Sequence, residues 1–304
     1  MDWETKLIKV YFLVSDYSWI FDVYNERYSR NNTPKFTDIE VASIYIFCTI
    51  DDFKLHTKKS IHEYAARHLR SWFPDLPKYE AFNHRVNELS ECFRQLAAFV
   101  NKDKIAQHVD FQHQIIEYTG DSMPIVMSKG ARSSNAKVAP EIANLGYCAT
   151  KKMFYHGLKL HNLNVVASDK LLPHPALSTI SSASAHDYNV FKNELLHLAR
   201  NSRCYLDSAY YDLKNKDFIL EEYNVTICAI AKRKRGQKAL FADLKYQNTA
   251  ISRLRQPIEG FFNWLIQKTS IQNASKTRAT KGVLSHVYGK IAASAVFLAI
   301  HINF

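Results

Sequence analysis

The sequence predicts an α/β protein in which a helical first third precedes a domain built on a mixed sheet. Three observations carry this reading. All eight glycines (120, 130, 146, 157, 236, 260, 282 and 289) lie at or beyond position 120. The first 119 residues therefore lack the usual residue for turns that need positive φ. Apolar side chains at 79, 82, 86, 89, 93, 96 and 100 keep a 3.6-residue period over six turns, the mark of an amphipathic helix. Beyond about residue 106 short β-type runs appear and alternate with helical patterns, which is how mixed sheets with crossover helices read.

In the first third, Thr37-Asp38-Ile39-Glu40 and Ser60-Ile61-His62-Glu63 have the form of capping boxes, each a helix start in which hydroxyl and carboxylate satisfy orphan amides. The stripe from Tyr79 predicts a third helix. Between the second and third lies Trp72-Phe73-Pro74-Asp75-Leu76-Pro77-Lys78, a proline-bounded turn. It joins a segment carrying Arg67 and Arg70 to one expected to expose His84, Arg85 and Arg94. This fits a helix-turn-helix reader of DNA and equally an ordinary bundle with a solvated basic face.

The β-type runs are 113–118, 155–161, 203–206 and 225–230. Helical patterns cover 190–200, 212–223 and 248–267, while 127–139 and 173–184 read as loops. Two parts are expected, a helical region of residues 1–105 and an α/β domain of residues 106–304.

Charge is distributed unevenly. Lys and Arg number 40 against 29 Asp and Glu, a formal charge of +11. Residues 228–304 hold 13 of these cations and only Asp243 and Glu259 as acids, so the first 227 residues are neutral. A basic C-terminal quarter points to a polyanionic partner. The N-terminus shows no secretory signal, and the longest apolar run, 291–300, is too short to span a bilayer; a membrane is not expected. Five scattered cysteines (48, 92, 148, 204, 228) without a C-x-x-C pair predict reduced thiols in a cytoplasm.

Three carboxylates stand where strands end or helices begin. Asp121 lies in Asp121-Ser122-Met123-Pro124-Ile125, Asp207 in Leu206-Asp207-Ser208-Ala209-Tyr210, and Glu259 in Arg255-Gln256-Pro257-Ile258-Glu259-Gly260-Phe261-Phe262. Singly, each reads as a turn former or a salt-bridge partner. In this order, and with Gly157-Leu158-Lys159-Leu160-His161 between the first two, they resemble the DDE transposases of bacterial insertion sequences, most closely the 982 group. The likeness runs from about residue 105 to the end, and Tyr79-Glu80-Ala81-Phe82-Asn83-His84-Arg85 extends it weakly upstream.

The resemblance implies a ribonuclease H-like catalytic domain, with Asp121, Asp207 and Glu259 as catalytic residues binding two Mg²⁺ ions, Mn²⁺ substituting. Hard cations take carboxylate oxygens, and two of them stabilise both the attacking and the leaving oxygen of a phosphodiester. It implies double-stranded DNA as partner, namely element ends and target, in a homodimer or larger synaptic complex at the nucleoid. Expected DNA contacts are Arg85, Tyr210, Arg255 and Lys268, with Lys159 and His161 as contacts or structural residues, and Lys232, Arg233, Lys234 and Arg235 as a phosphate clamp, favoured by the resemblance over a solvated charge cluster.

The chain departs from the family pattern in places. Ser208-Ala209 stand where many relatives carry Lys-Gly, Ser252 replaces a Tyr, and Ile266 replaces a Lys, with Lys268 two residues on. His156, with His161, has strand contexts rather than metal-helix spacing. His186-Asp187 resembles a family dipeptide but reads as a loop cap. At Pro257 a helix either begins, with Glu259 in its first turn, or is kinked; in a straight helix Arg255 and Glu259 would share a face at i, i+4. A nuclease that cuts without joining, and an inactive transposase-derived regulator, are the rival readings.

Overall fold

The computed structural model describes residues 2–25, 34–50, 55–107, 115–166, 174–212, 214–233 and 236–301. Up to residue 107 the described elements are helices. These are α1 (Trp3–Asp16), α2 (Ser18–Tyr24), α3 (Asp38–Ile50), α4 (Lys58–His68), α5 (Tyr79–Glu88) and α6 (Ser90–Ala106). At the start of α3 the Thr37 hydroxyl accepts from the Glu40 amide at 3.2 Å while the Glu40 carboxylate accepts from the Thr37 amide. This is the reciprocal box the sequence predicts. The second start differs: α4 is capped by Thr57, with Ser60 as its reciprocal partner three residues on. The period-3.6 stripe is shared by two helices that break at Leu89, because a continuous apolar face does not report a change of axis. Between α4 and α5 the turn is tied by Arg70, which donates to the Leu76 carbonyl at 2.9 Å, and by His62 against the Pro77 carbonyl at 2.8 Å.

Among the described residues six strands follow: β1 (Ile116–Lys129), β2 (Asn144–Cys148), β3 (Met153–Val165), β4 (His174–Ser182), β5 (Ser202–Leu206) and β6 (Val225–Ala229). They form a mixed sheet of order β2-β3-β1-β5-β6, with β4 also paired to β3. The pairs β1–β5 and β5–β6 are parallel and the rest antiparallel. The structure corrects two readings here. β1 runs on through Pro124 to Lys129, and 174–182, expected as a loop, is strand β4. The start of the 113–118 run lies outside the described residues. Pro124 is tolerated because β1 pairs with β5 only over 116–119, so its missing N–H falls beyond that ladder.

Short helical segments make the crossovers. α7 (Asp187–Val190) continues into a π-helical turn, Phe191–Leu195, and α8 (Lys216–Tyr223) ends on Asn224 in the left-handed conformation at φ 52°. Phe191, Leu195, Cys204, Leu206 and Ile219 form the core on this side of the sheet. Then come α9 (Ala242–Arg255), α10 (Pro257–Thr269) and α11 (Thr280–His301).

The chain divides into two compact units, and no single cut near residue 105 separates them. One comprises residues 1–101, 137–141 and 265–303; the other comprises 102–136, 142–264 and 304. In the first, α11 packs on α3 and α5. By length and composition α11 is apolar enough to cross a membrane, with mean hydropathy 1.6, and 72% of that window is buried inside the protein. The apolar run 291–300 understates this helix because Ser285, His286 and Lys290 interrupt its earlier half.

Strand β3 depends on Gly157. A Cβ there would lie 2.0 Å from the Ile125 carbonyl oxygen on β1, which is backbone and cannot rotate away. Gly157→Ala is therefore expected to cost about 2–3 kcal/mol, read as a lowered urea midpoint. Gly260→Ala, where a Cβ meets nothing within 4 Å, should leave the midpoint unchanged or raise it. Equal midpoints for the two variants would show that the β1–β3 approach is not tight.

Candidate active site

Topology brings the two aspartates together. In the parallel β1–β5 ladder Thr119 stands opposite Tyr205. Continuing that register by two residues sets Asp121 abreast of Asp207, the first residue past the end of β5. Each carboxylate is fixed by a backbone amide. Asp121 Oδ1 accepts from Ser122 N at 2.8 Å, and Asp207 Oδ1 accepts from Ala209 N at 2.7 Å, capping a 3₁₀ turn.

The third acid arrives on α10. Pro257 occupies the first helical position, where its missing N–H costs nothing, and Glu259 falls in the first turn near the positive end of the helix dipole. Gln256 keeps right-handed helical angles (φ −51°, ψ −36°), so α9 runs almost continuously into α10. Both geometries open to the sequence are thus realised together, and Arg255 and Glu259 pair at i, i+4 across the junction.

Arg255 sits among the three acids. Its Nη2 donates to Asp121 Oδ2 at 2.5 Å, its Nη1 lies 3.5 Å from Glu259 Oε1, and the charge of Asp207 acts on it as well. The Thr119 hydroxyl donates to the Arg255 carbonyl at 3.3 Å and moors the end of α9 to β1. Burial works against the guanidinium charge, but Asp121, Asp207 and Glu259 outweigh it and raise its pKa. Burial pushes the Asp121 carboxyl above its ordinary range; Asp207 adds to this, and Arg255 opposes it without cancelling it. Glu259 is the open member, its side chain 61% exposed against 21% for Asp121.

A second group lies on β3 and α7. Lys159 Nζ donates to Asp187 Oδ1 at 2.9 Å and to the Ala185 carbonyl at 2.8 Å. His161 Nε2 is 2.8 Å from Ser181 Oγ, and its Nδ1 is 3.9 Å from Asp187 Oδ1. Burial lowers the His161 pKa to about 4, against the pull of Asp187, so the ring is neutral at pH 7. Asp187 is the residue sequence reasoning passed over. The His186-Asp187 dipeptide was its only signal, and a loop cap accounts for such a pair equally well until the fold sets it against Lys159.

The expected DNA contacts divide. Tyr210 and His161 are buried, Tyr210 packing edge-on against Phe191. Burial, then Asp187, Asp121 and Asp207, hold the phenol protonated. Neither side chain presents a surface to a duplex. Arg85 is likewise withdrawn: it pairs with Asp38, donates to the Phe36 carbonyl and lies over the Phe36 ring, because the stripe of α5 turns it inward. Lys159 and Arg255 are engaged with acids as above. Lys268 lies over the Phe297 ring at 5.7 Å. Lys232 and Arg233 are exposed on an open cleft of about 750 Å³ that Ser208, Ala231 and Asn248 also line. Lys234 and Arg235 lie outside the described residues.

The donor set suits a hard divalent cation: three carboxylates and, across the β1–β3 ladder from Asp121, the side chain of Asn162. The Asn162 Oδ1 is buried without a hydrogen-bond partner among the described residues. The arrangement holds a guanidinium in their midst, and among the described residues no three His, Cys, Asp or Glu side chains gather closely enough to share an ion. Compared with protein-family models, curated proteins and solved structures, the chain matches none.

Proposed function

We propose that the chain is a transposase of the insertion-sequence DDE type, cleaving and joining DNA strands at the acids Asp121, Asp207 and Glu259. The observation that carries this reading is that Asp121 and Glu259, 138 positions apart in sequence, pair with one guanidinium on which the charge of Asp207 also acts, while Ser208, next to Asp207, lines a cationic cleft. Strand cleavage needs a site that positions a phosphodiester and balances the charge developing on it. Asp121, Asp207 and Glu259 would hold Mg²⁺, which supplies activation of a water or 3′-hydroxyl and stabilisation of the leaving oxygen. Lys232 and Arg233 offset the repulsion between the acids and the phosphates. The ribonuclease H-like topology, a helix-turn-helix role for α4 and α5, double-stranded element ends and target DNA as substrates, assembly as a dimer or larger complex, and action in a bacterial cytoplasm at the nucleoid all belong to this reading.

A labelled element end incubated with the protein and Mg²⁺ tests it. Cleaved and joined products support a transposase, cleavage without joining makes it a nuclease, and binding alone makes it a regulator. The last outcome has a specific observation behind it, since Arg255 already pairs with Asp121 and Glu259.

The clamp is tested separately. Neutralising Lys232, Arg233, Lys234 and Arg235 together should weaken specific and random DNA alike, and should lower the slope of log K against log salt by roughly 3 to 4. An unchanged slope across a salt series would move the DNA path to Arg253, Lys276 and Arg278.

A further inference from the structure

We propose that Arg255 is an internal counter-ion which holds the carboxylate site closed, so that the guanidinium and a divalent cation exclude one another. This rests on the reading of Asp121, Asp207 and Glu259 as the residues that would hold the metal.

The argument begins with charge and space. Carboxylates whose charges act on one another repel, as Asp207 does on Asp121, and a cation set among them offsets that repulsion. Arg255 supplies it from within the chain: it is the last residue of α9, its carbonyl is moored by Thr119, and its Nη atoms reach Asp121 and Glu259. The guanidinium and a divalent cation would draw on the same oxygens. Asp121 Oδ2 is taken by Arg255 and Oδ1 by the Ser122 amide.

The hold on Arg255 is also incomplete. Its Nε is buried with no hydrogen-bond partner among the described residues, and so is the Asn162 Oδ1 on the ladder position facing Asp121. A buried donor left unmade is costly, so release of the side chain toward solvent or toward a phosphate regains a hydrogen bond while freeing the oxygens for a cation. Glu259, the exposed partner, is the side from which that exchange proceeds.

The test is Mn²⁺ binding to the full chain without DNA, followed by electron paramagnetic resonance, for the parent, Arg255→Met, Arg253→Met and Asp121→Asn. Arg255→Met is expected to bind Mn²⁺ at least tenfold more tightly than the parent. Arg253→Met, which removes an exposed charge from the same helix, should stay within twofold, and Asp121→Asn should lose binding. An Arg255→Met affinity equal to or below that of the parent, with Asp121→Asn still deficient, overturns the counter-ion while the metal reading stands. Mn²⁺ binding that is absent throughout, or indifferent to Asp121→Asn, overturns the metal reading itself.

A second measurement needs no variant. Arginine modification by phenylglyoxal, mapped by mass spectrometry on the parent, should find Arg255 protected in EDTA and reactive in saturating Mg²⁺. Protection in both conditions would again overturn the proposal.

Discussion

Asp121→Asn and Asp207→Asn should each lower strand cleavage by roughly a thousandfold or more, with DNA affinity kept within about twofold. Each substitution preserves volume and one carbonyl oxygen, so the backbone amides of Ser122 and Ala209 keep an acceptor. On the proposed reading, what is lost is an anionic ligand for the Mg²⁺ that would balance the charge developing on the phosphodiester. On the same reading affinity would rest on cations instead, and neither aspartate lies among the residues of the Lys232 and Arg233 cleft. A variant that still cleaves at a tenth of the parental rate removes its residue from the site. A variant that loses binding as well as cleavage places that residue in DNA recognition. Glu259→Gln should show the same separation of cleavage from binding, and its exposed side chain makes a folding defect the least expected there.

Lys290→Met should stabilise the protein at pH 7 by on the order of 3 kcal/mol, a rise in Tm of roughly 5–10 °C. Lys290 is buried on α11, and its Nζ has no hydrogen-bond partner among the described residues. Burial, with Lys58 of α4 adding to it, brings its pKa down from 10.5 to about 7. The unfolded chain therefore holds a proton up to pH 10.5 that the folded chain releases near 7, so stability rises with pH across that window. Below pH 7 both states carry the charge and the full burial penalty remains.

Lys58, half-buried and lowered to about 8, acts in the same direction, although the Asn87 Oδ1 and Ser285 Oγ accept from its Nζ. Lys290→Met should therefore shallow the rise of Tm between pH 7 and 10 without abolishing it. Chemical denaturation at pH 6, 8 and 10 gives the comparison. A variant less stable than the parent at pH 6 would mean that the ammonium is held by a favourable partner.

Several features were open to sequence reasoning because they are local. The capping box at Thr37 and Glu40 and strands β5 and β6 depend on residues a few positions apart, and side-chain chemistry at that range acts whatever the rest of the chain does. Of the three acids singled out as standing at element boundaries, Asp207 follows the end of β5 and Glu259 lies in the first turn of α10, whereas Asp121 is within β1, which runs on to Lys129. Their assembly could not be read in the same way. Asp121 meets Arg255 across 134 residues, and nothing in either segment records the parallel register that aligns β1 with β5.

Length and partnership were likewise hidden. Strand β4 carries few strongly apolar residues in Ser178-Thr179-Ile180-Ser181-Ser182, yet pairing with β3 makes it a strand, because ladder hydrogen bonds come from the backbone and not from composition.

By itself, then, the sequence determined the α/β class, the basic final quarter and the positions of the three acids. Only the tertiary structure decided which cations are spent on acids, turning Arg85 onto Asp38, Lys159 onto Asp187 and Arg255 onto Asp121. It also placed residues 265–303, which hold α11, in one compact unit with residues 1–101. The physical reason is common to both. An apolar face or a charge states that it must find a partner, while the partner is chosen by which distant segments the packed chain brings within a few ångströms.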